Sequence, residues 1–398
     1  MRFPEFHGEW EKSKLGDIAT LTKGSGISKD QRSATGAPCI LYGELYTTYQ
    51  SEVIDYVVSK TDISDKNLVR SCANDIIIPS SGETAIDIST ARCVLSPDVL
   101  LGGDLNIIRL KDGDGRFFSY QLNGVRKHDI AKIAQGVSVV HLYGESIKGL
   151  TVSFPSNKEQ QKISTLLSLI DERIATQSKL IEKLESLIKG LEDKILDNPL
   201  WEKTYLRSFM QFFSTNSLSW EQLSYEEGEI RNLHYGLIHG FQTRGINSAS
   251  LPMIKNEAMP KQYTLCQVGD VAFADASEDT GEIAKSVEFI DTIEGDTVCG
   301  LHTIHGRDIK DRTVVGFKGF AFNSRYFHNQ IKRLAQGTKV FSITANNLSS
   351  CYVYLPDLET QKAIVKLLKV YEKKLLVSKR LLEQYEKQKQ YLLRQMFI

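Results

Sequence analysis

Apolar residues recur at alternating steps of four and three at Ile163, Leu167, Ile170, Ile174, Gln177, Ile181, Leu184, Ile188, Leu191 and Ile195. That spacing predicts a long helix packed along its length against another helix. A second seam runs Ile364, Leu368, Tyr371, Leu375, Ser378, Leu382, Tyr385, Lys389, Leu392 and Met396, each position 201 beyond its counterpart. Even the polar interruption recurs, with Ser378 at the place of Gln177. Each seam follows a proline, Pro155 or Pro356. The helices are expected to start near Lys158 and Glu359, and Pro199 stops the first, because a proline lacks the N–H that would continue it.

The stretches before the seams read as two copies of one globular domain. Trp10, Glu11, Lys12 recur as Trp201, Glu202, Lys203; Tyr42, Gly43 as Tyr235, Gly236; Ala134, Gln135, Gly136 as Ala335, Gln336, Gly337. Asp75 opens an apolar run after Asn74, as Asp270 does after Gly269. The offset between the copies drifts smoothly, as small insertions in a tandem repeat produce. Short β-like runs at residues 75–79, 268–274, 150–154 and 351–355 alternate with Gly- and Ser-rich loops, and residues 121–134 and 325–335 carry helical patches. The fold class is therefore α+β, a tandem repeat of two α+β domains separated by two long helices. The expected boundaries are 1–154 and 199–355 for the domains, 155–198 and 356–398 for the helices.

If each domain's ends lie together, the helices must run antiparallel as a coiled coil. Paired positions then sum to about 555, placing Ile170 near Tyr385, Leu184 near Tyr371 and Gln177 near Ser378. The first seam spans 33 residues, roughly 50 Å of helix.

Composition adds limits. At 398 residues the chain exceeds a single core, and 49 basic residues balance 49 acidic ones. A nucleic-acid contact must then come from local patches, since the bulk charge supplies no basic field. No apolar run is long enough to span a membrane, and residues 1–14 show no secretory pattern. The six cysteines (Cys39, Cys72, Cys93, Cys266, Cys299, Cys351) form no C-x-x-C pair and read as buried free thiols in a reducing cytoplasm.

Catalytic motifs are not legible. Asn198, Pro199, Leu200, Trp201 lacks the second proline of an amino-methyltransferase motif and reads as a helix stop. Glu372 and Lys373 could belong to a nuclease motif only outside a heptad helix. His302 and His305 have no further ligands at metal-site spacing, so no metal is expected. Gly24, Ser25, Gly26 has no P-loop ending. No catalytic residue is assigned.

The order domain, helix, domain, helix, with Pro155, Glu159, Gln160, Ile163, Leu166, Leu167 and Asp171 at the first helix start, resembles the specificity subunit of type I restriction-modification enzymes. The second copy reads Pro356, Thr360, Gln361, Ile364, Leu367, Leu368 and Glu372. The resemblance implies that each globular part is a target recognition domain reading half of a bipartite double-stranded DNA site. It implies that the helices dock two methyltransferase (modification) subunits, that restriction subunits join them, and that S-adenosylmethionine binds those partners, with no cofactor in this chain. Phosphate contacts and groove-reaching side chains are expected from loop positions. The DNA-binding candidates are Lys23, Ser25, Lys29, Tyr46, Ser80, Ser81 and Arg92, then His239, Gln242, Arg244 and Lys339. Tyr42 and Tyr235 recur and read as core or contact. The alternative reading is a coiled-coil scaffold with two protein-binding domains and no DNA role.

Overall fold

In the computed structural model, which describes residues 1–64, 67–291 and 297–397, the chain forms two units. One comprises Met1–Ser178 with Leu381–Ile398, the other Lys179–Arg380. The central sheet of the first unit uses β1 (Ala19–Lys23), β2 (Val53–Ile54), β3 (Asp75–Pro79), β4 (Arg92–Val94) and β5 (Leu105–Leu110). Their order across the sheet is β1-β5-β3-β4-β2. All pairs are antiparallel except β2 with β4. Helix α1 (Glu44–Thr47) lies in the connection between β1 and β2, and helix α2 (Asn157–Leu196) follows the globular part. The run Asp75–Pro79 is buried at all five positions, as expected of a central strand covered on both faces.

The second unit repeats this with β6 (Met210–Phe213), β7 (Gly245–Asn247), β8 (Val271–Ala274), β9 (Ser286–Asp291) and β10 (Thr303–Asp308) in the order β6-β10-β8-β9-β7. Its last two strands are again the parallel pair. Helix α3 (Tyr235–Gly240) corresponds to α1, and helix α4 (Leu358–Gln395) follows. β8 starts three residues later than the expected 268, because Gly269 has φ +90° and turns the chain just before it. The helical patch at 121–134 is two helices, Gly115–Asn123 and Lys127–Ile133, broken at Gly124. A Cβ on Gly124 would meet the Tyr120 and Leu393 carbonyl oxygens.

Each globular part is closed by pairing its ends. Glu11–Lys14 runs antiparallel to Thr151–Phe154, with Glu11 opposite Phe154. Glu202–Tyr205 pairs likewise with Tyr352–Leu355. The long helices leave directly from these pairs, and the glutamine of each helix start fastens the junction. Gln160 accepts from the Asp114 amide at 3.0 Å and donates to the Pro155 carbonyl at 2.8 Å. Gln361 does the same with the Val314 amide and the Pro356 carbonyl. Both side chains are buried, where an unmade hydrogen bond is costly.

Every seam residue of α2 and α4 is buried or half-buried. In the first unit, Ile163, Leu167 and Ile170 share one core with Phe117, Phe118, Leu392 and Met396. Trp10 packs edge-on against Phe117, which packs on Phe397. In the second, Leu191, Ile195, Ile364 and Leu368 share a core with Phe317 and Phe327. At about 1.5–3 kcal/mol per fully buried large apolar side chain, the helix segments are fixed to their domains, not merely tethered. Within each unit the segments run antiparallel: Arg173 stacks on Tyr385, and Lys379 pairs with Glu185. These pairs sum to 558 and 564, and Asp171 with Lys389 sums to 560, so the contacts between the helices fall beyond the expected sum of 555.

Candidate nucleic-acid interface

In each unit the turn before the last sheet strand meets the short helix at the repeated Tyr-Gly, which precedes α1 and opens α3. In the first unit the turn residue Asp104 has φ 57°, and its carbonyl accepts from the Ser80 amide at 2.7 Å. In the second, His302 has φ 54°, and its carbonyl accepts from the Asp275 amide at 3.0 Å. The framework therefore presents the same corner twice, with different side chains on it.

The first corner opens into a cleft of about 760 Å³ lined by the loop Gly26–Arg32, by Tyr42 and α1, and by Gly103 and Asp104. Lys29 is exposed on its rim. Arg32 lies 3.5 Å from Glu44, whose other carboxylate oxygen accepts from the Leu41 amide, so the acid is held by the fold and the cation faces the cleft. The Tyr46 hydroxyl sits beside Gly43 and Gly82. The cations Lys29 and Arg32, with Tyr42, Thr47 and Thr48 lining the same cleft, can pair with phosphate oxygens and base edges.

The second corner is aromatic and imidazole-rich. Trp220, half exposed, packs at 4.5 Å and a 35° tilt on His234; Tyr235 lies 4.8 Å from His234 and edge-on to His302 at 5.2 Å. His234 accepts from the Gly236 amide, and burial lowers its pKa, keeping it neutral as an acceptor. His239 meets the Glu282 carboxylate at 3.2 Å, and Lys285 pairs with the same carboxylate at 2.9 Å. Burial pushes Glu282 up, but the hydrogen bonds from Lys285 and His239 outweigh it and hold the carboxyl below its usual range. His302 faces Asp275 at 3.1 Å.

The eleven sequence candidates separate into three groups. Lys29 and Tyr46 belong to the first corner, and His239 to the second. Lys23, Gln242 and Lys339 are exposed: Lys23 at the end of β1, Gln242 after α3, and Lys339 in the loop between Gly337 and the strand Phe341–Ser342. The remaining five correct the expectation that their side chains reach a groove. Ser25 accepts from the Val69 amide at 2.8 Å and is spent on joining loops. Ser80 and Ser81 are buried, Ser81 paired with His141 across a two-stranded ladder. Arg92 is buried and donates to the Leu45 and Tyr49 carbonyls, capping the end of α1; burial lowers its pKa. Arg244 donates its amide to Glu372 at 2.7 Å and holds its guanidinium 3.8 Å from Glu192, tying the domain to both long helices. Glu52, at the same place in the first unit, pairs with Lys389 of α4, and the neighbouring Ser51 hydroxyl bonds Asp171 of α2.

Arg32, Trp220 and His302 were missed. Trp220 stands at the place of Lys29 in a short turn that recurs as Ser28–Gln31 and Ser219–Gln222, a match of only serine, acid and glutamine, and the sequence gives His302, like His305, no further ligands. Only pairing the turns of the two copies reveals that Asp104 and His302 occupy one place.

No helix among the described residues is long and apolar enough to cross a membrane. The family model for the type I restriction modification DNA specificity domain matches residues 7–186 and 306–387. The chain is 23% identical over 417 residues to the type I restriction enzyme MjaVIII specificity subunit of Methanocaldococcus jannaschii, covering 97% of this chain and 93% of that one. The putative MjaX specificity subunit of the same organism is 24% identical over 411 residues, with 97% and 92% covered. The fold is similar to the crystal structure of the type I restriction-modification S subunit from M. genitalium, with TM-score 0.64 at 17% identity over 100% of this chain and 99% of that one. A chain from a study of complex assembly and conformational transition of the type I R-M system superimposes with TM-score 0.56 at 12% identity, covering 98% and 97%. The matched segments take in more than half of the sequence, and the chain belongs to the type I restriction-modification specificity subunits, a family whose general role is DNA target recognition and whose members are generally non-catalytic.

Proposed function

We propose that this chain is the non-catalytic reader of a bipartite double-stranded DNA sequence, each unit reading one half. The observation that carries this is the duplicated corner: one framework presents Lys29, Arg32 and Tyr42 in the first unit, and Trp220, Tyr235, His239 and His302 in the second. Different side chains on an equivalent scaffold are what two half-sites of different sequence require, since base edges are told apart by donor and acceptor pattern.

Helices α2 and α4 dock two methyltransferase subunits in this reading, and restriction subunits join that complex. Support comes from apolar side chains left in solvent on the outer faces of both helices, Leu169, Leu180 and Leu187 on α2 and Leu367, Val370 and Val377 on α4. S-adenosylmethionine belongs to the methyltransferase subunits. Calorimetry on the isolated chain is expected to show no binding of that cofactor.

The deciding experiment replaces residues 1–154 by the equivalent of another family member and maps methylated bases in cells carrying the modification partner. One half of the recognised sequence should change. A change in both halves, or in neither, would overturn the two-reader assignment.

A further inference from the structure

Three side chains from separate parts of the second unit converge in its interior. Cys299 ends the strand Thr297–Cys299, Cys266 is tied to that strand by its amide bond to the Thr297 carbonyl, and His305 lies mid-strand in β10. The cysteine sulfurs are 3.6 Å apart, and one ligand atom from each of the three residues lies within 4.8 Å of the others. All three are buried, His305 to 1% exposure.

The histidine is oriented from behind. Its Nε2 lies 2.7 Å from Asp270 Oδ2, and that carboxylate is itself fixed by Arg307 Nε at 2.8 Å, Arg307 Nη2 at 2.7 Å and the Gln267 amide at 2.8 Å. A carboxylate held this firmly accepts a hydrogen bond from Nε2–H and leaves Nδ1 as a lone-pair donor, the arrangement that sets the tautomer of a metal-ligating histidine.

The first unit closes the same framework without these residues. Asp75 and Arg109 form the same ion pair in the first unit. Around it, strand register and backbone bonds place Ser71, Leu101 and Ile107 where the second unit has Cys266, Cys299 and His305. The framework thus closes with one hydroxyl and two apolar side chains. The second unit instead gathers two thiols and an imidazole at those three positions, all of them metal-ligating side chains.

We propose that Cys266, Cys299 and His305 bind one Zn²⁺ ion in the second unit, two thiolates and an imidazole nitrogen forming three corners of a tetrahedron. Tetrahedral bonds of about 2.3 Å to sulfur and 2.0 Å to nitrogen separate the ligand atoms by roughly 3.5–3.8 Å. The sulfur pair already has that separation, and a ring nitrogen of His305 lies within 4.8 Å of both. Cys299 and His305 also line a cavity of about 420 Å³ with Asn216, Tyr263 and Thr264, space from which a water molecule can supply the fourth ligand. Binding releases the two thiol protons and clamps the segment carrying Cys266 to β10.

The test uses the full chain, reduced and freed of metal, with Zn²⁺ or Co²⁺ alone as probe. One equivalent of either ion per chain should survive desalting, and the Co²⁺ form should show thiolate-to-metal charge-transfer absorption. Cys266→Ser with Cys299→Ser should abolish both, Asp270→Asn should weaken binding by about 10- to 100-fold, and Cys39→Ser with Cys93→Ser should change neither. The Co²⁺ spectrum of the unaltered protein decides the matter even if a variant fails to fold. Absence of the thiolate band, retention of metal by the double cysteine variant, or a Cys266–Cys299 disulfide whose reduced form takes up no Co²⁺ would each overturn the assignment.

Discussion

The Lys389 ammonium lies 2.6 Å from Asp171 Oδ1, and the same cation reaches Glu52. In a seam of apolar residues Lys389 reads as an interruption, yet the structure makes it a joint between α4, α2 and the first globular part. Asp171 also accepts from the Tyr120 and Ser51 hydroxyls. Burial pulls the Lys389 pKa down, but Glu52 and Asp171 outweigh it and the net direction is up.

Lys389→Met should therefore destabilise the first unit by about 3 kcal/mol, because two buried carboxylates lose their common cation. Adding Glu52→Gln and Asp171→Asn should restore most of the loss. The lysine's pKa is raised on folding, so its contribution is complete below the ordinary value of about 10.4 and fades only as pH rises through the folded value. Urea denaturation at pH 7 and pH 9 should give the same deficit for the variant; a deficit that vanished at pH 9 would contradict the assignment.

The two clasping glutamines make a second case. Gln160→Leu leaves the Asp114 amide and the Pro155 carbonyl without their partner, and Gln361→Leu does the same to the Val314 amide and the Pro356 carbonyl. Each should cost about 1–3 kcal/mol. Limited proteolysis should show opening in the unit that carries the change, and equal opening of both units would refute the local role.

Glu192 gives a pH dependence of opposite sign. Burial, then Glu372 and Asp193, raise its pKa against the pull of Arg244. A carboxyl raised on folding burdens the fold above its folded pKa, and that burden lifts as pH falls through it. Glu192→Gln should leave stability at pH 7 equal or higher, and the difference from the parent should shrink towards pH 5. A variant clearly less stable at pH 7 would mean that the Arg244 contact dominates.

On DNA, removing a cation that pairs with a phosphate should flatten the salt dependence of binding. Within the modification complex, Lys29→Ala or Arg32→Ala should reduce the slope of log K against log salt by about 1. His302→Ala and Trp220→Ala should weaken recognition of the other half-site and leave that slope nearly unchanged. Titration at several salt concentrations distinguishes the two classes.

The helices, the duplication and the α+β class were legible in the sequence because each rests on local periodicity or on recurrence at a fixed offset. The seam from Ile163 to Ile195 needs only the helical repeat, and Gln160 and Gln361 stand at equal distances from their prolines. The interface was less legible. Arg92 and Lys29 are both cations near loops, and only the folded chain shows that one is spent on the Leu45 and Tyr49 carbonyls while the other reaches solvent.

Residues 266, 299 and 305 mark the limit most clearly. Spacings of 33 and 6 positions encode no ligand cluster, and His305 read as a histidine without partners. Strand pairing brings them together: the amide of Cys266 bonds the strand that ends at Cys299, and β10 places His305 opposite Ala272, next to Asp270. Periodicity along the chain determines which elements form and how often they repeat. Which side chains meet is set by register between strands distant in sequence, and that only the tertiary structure decides.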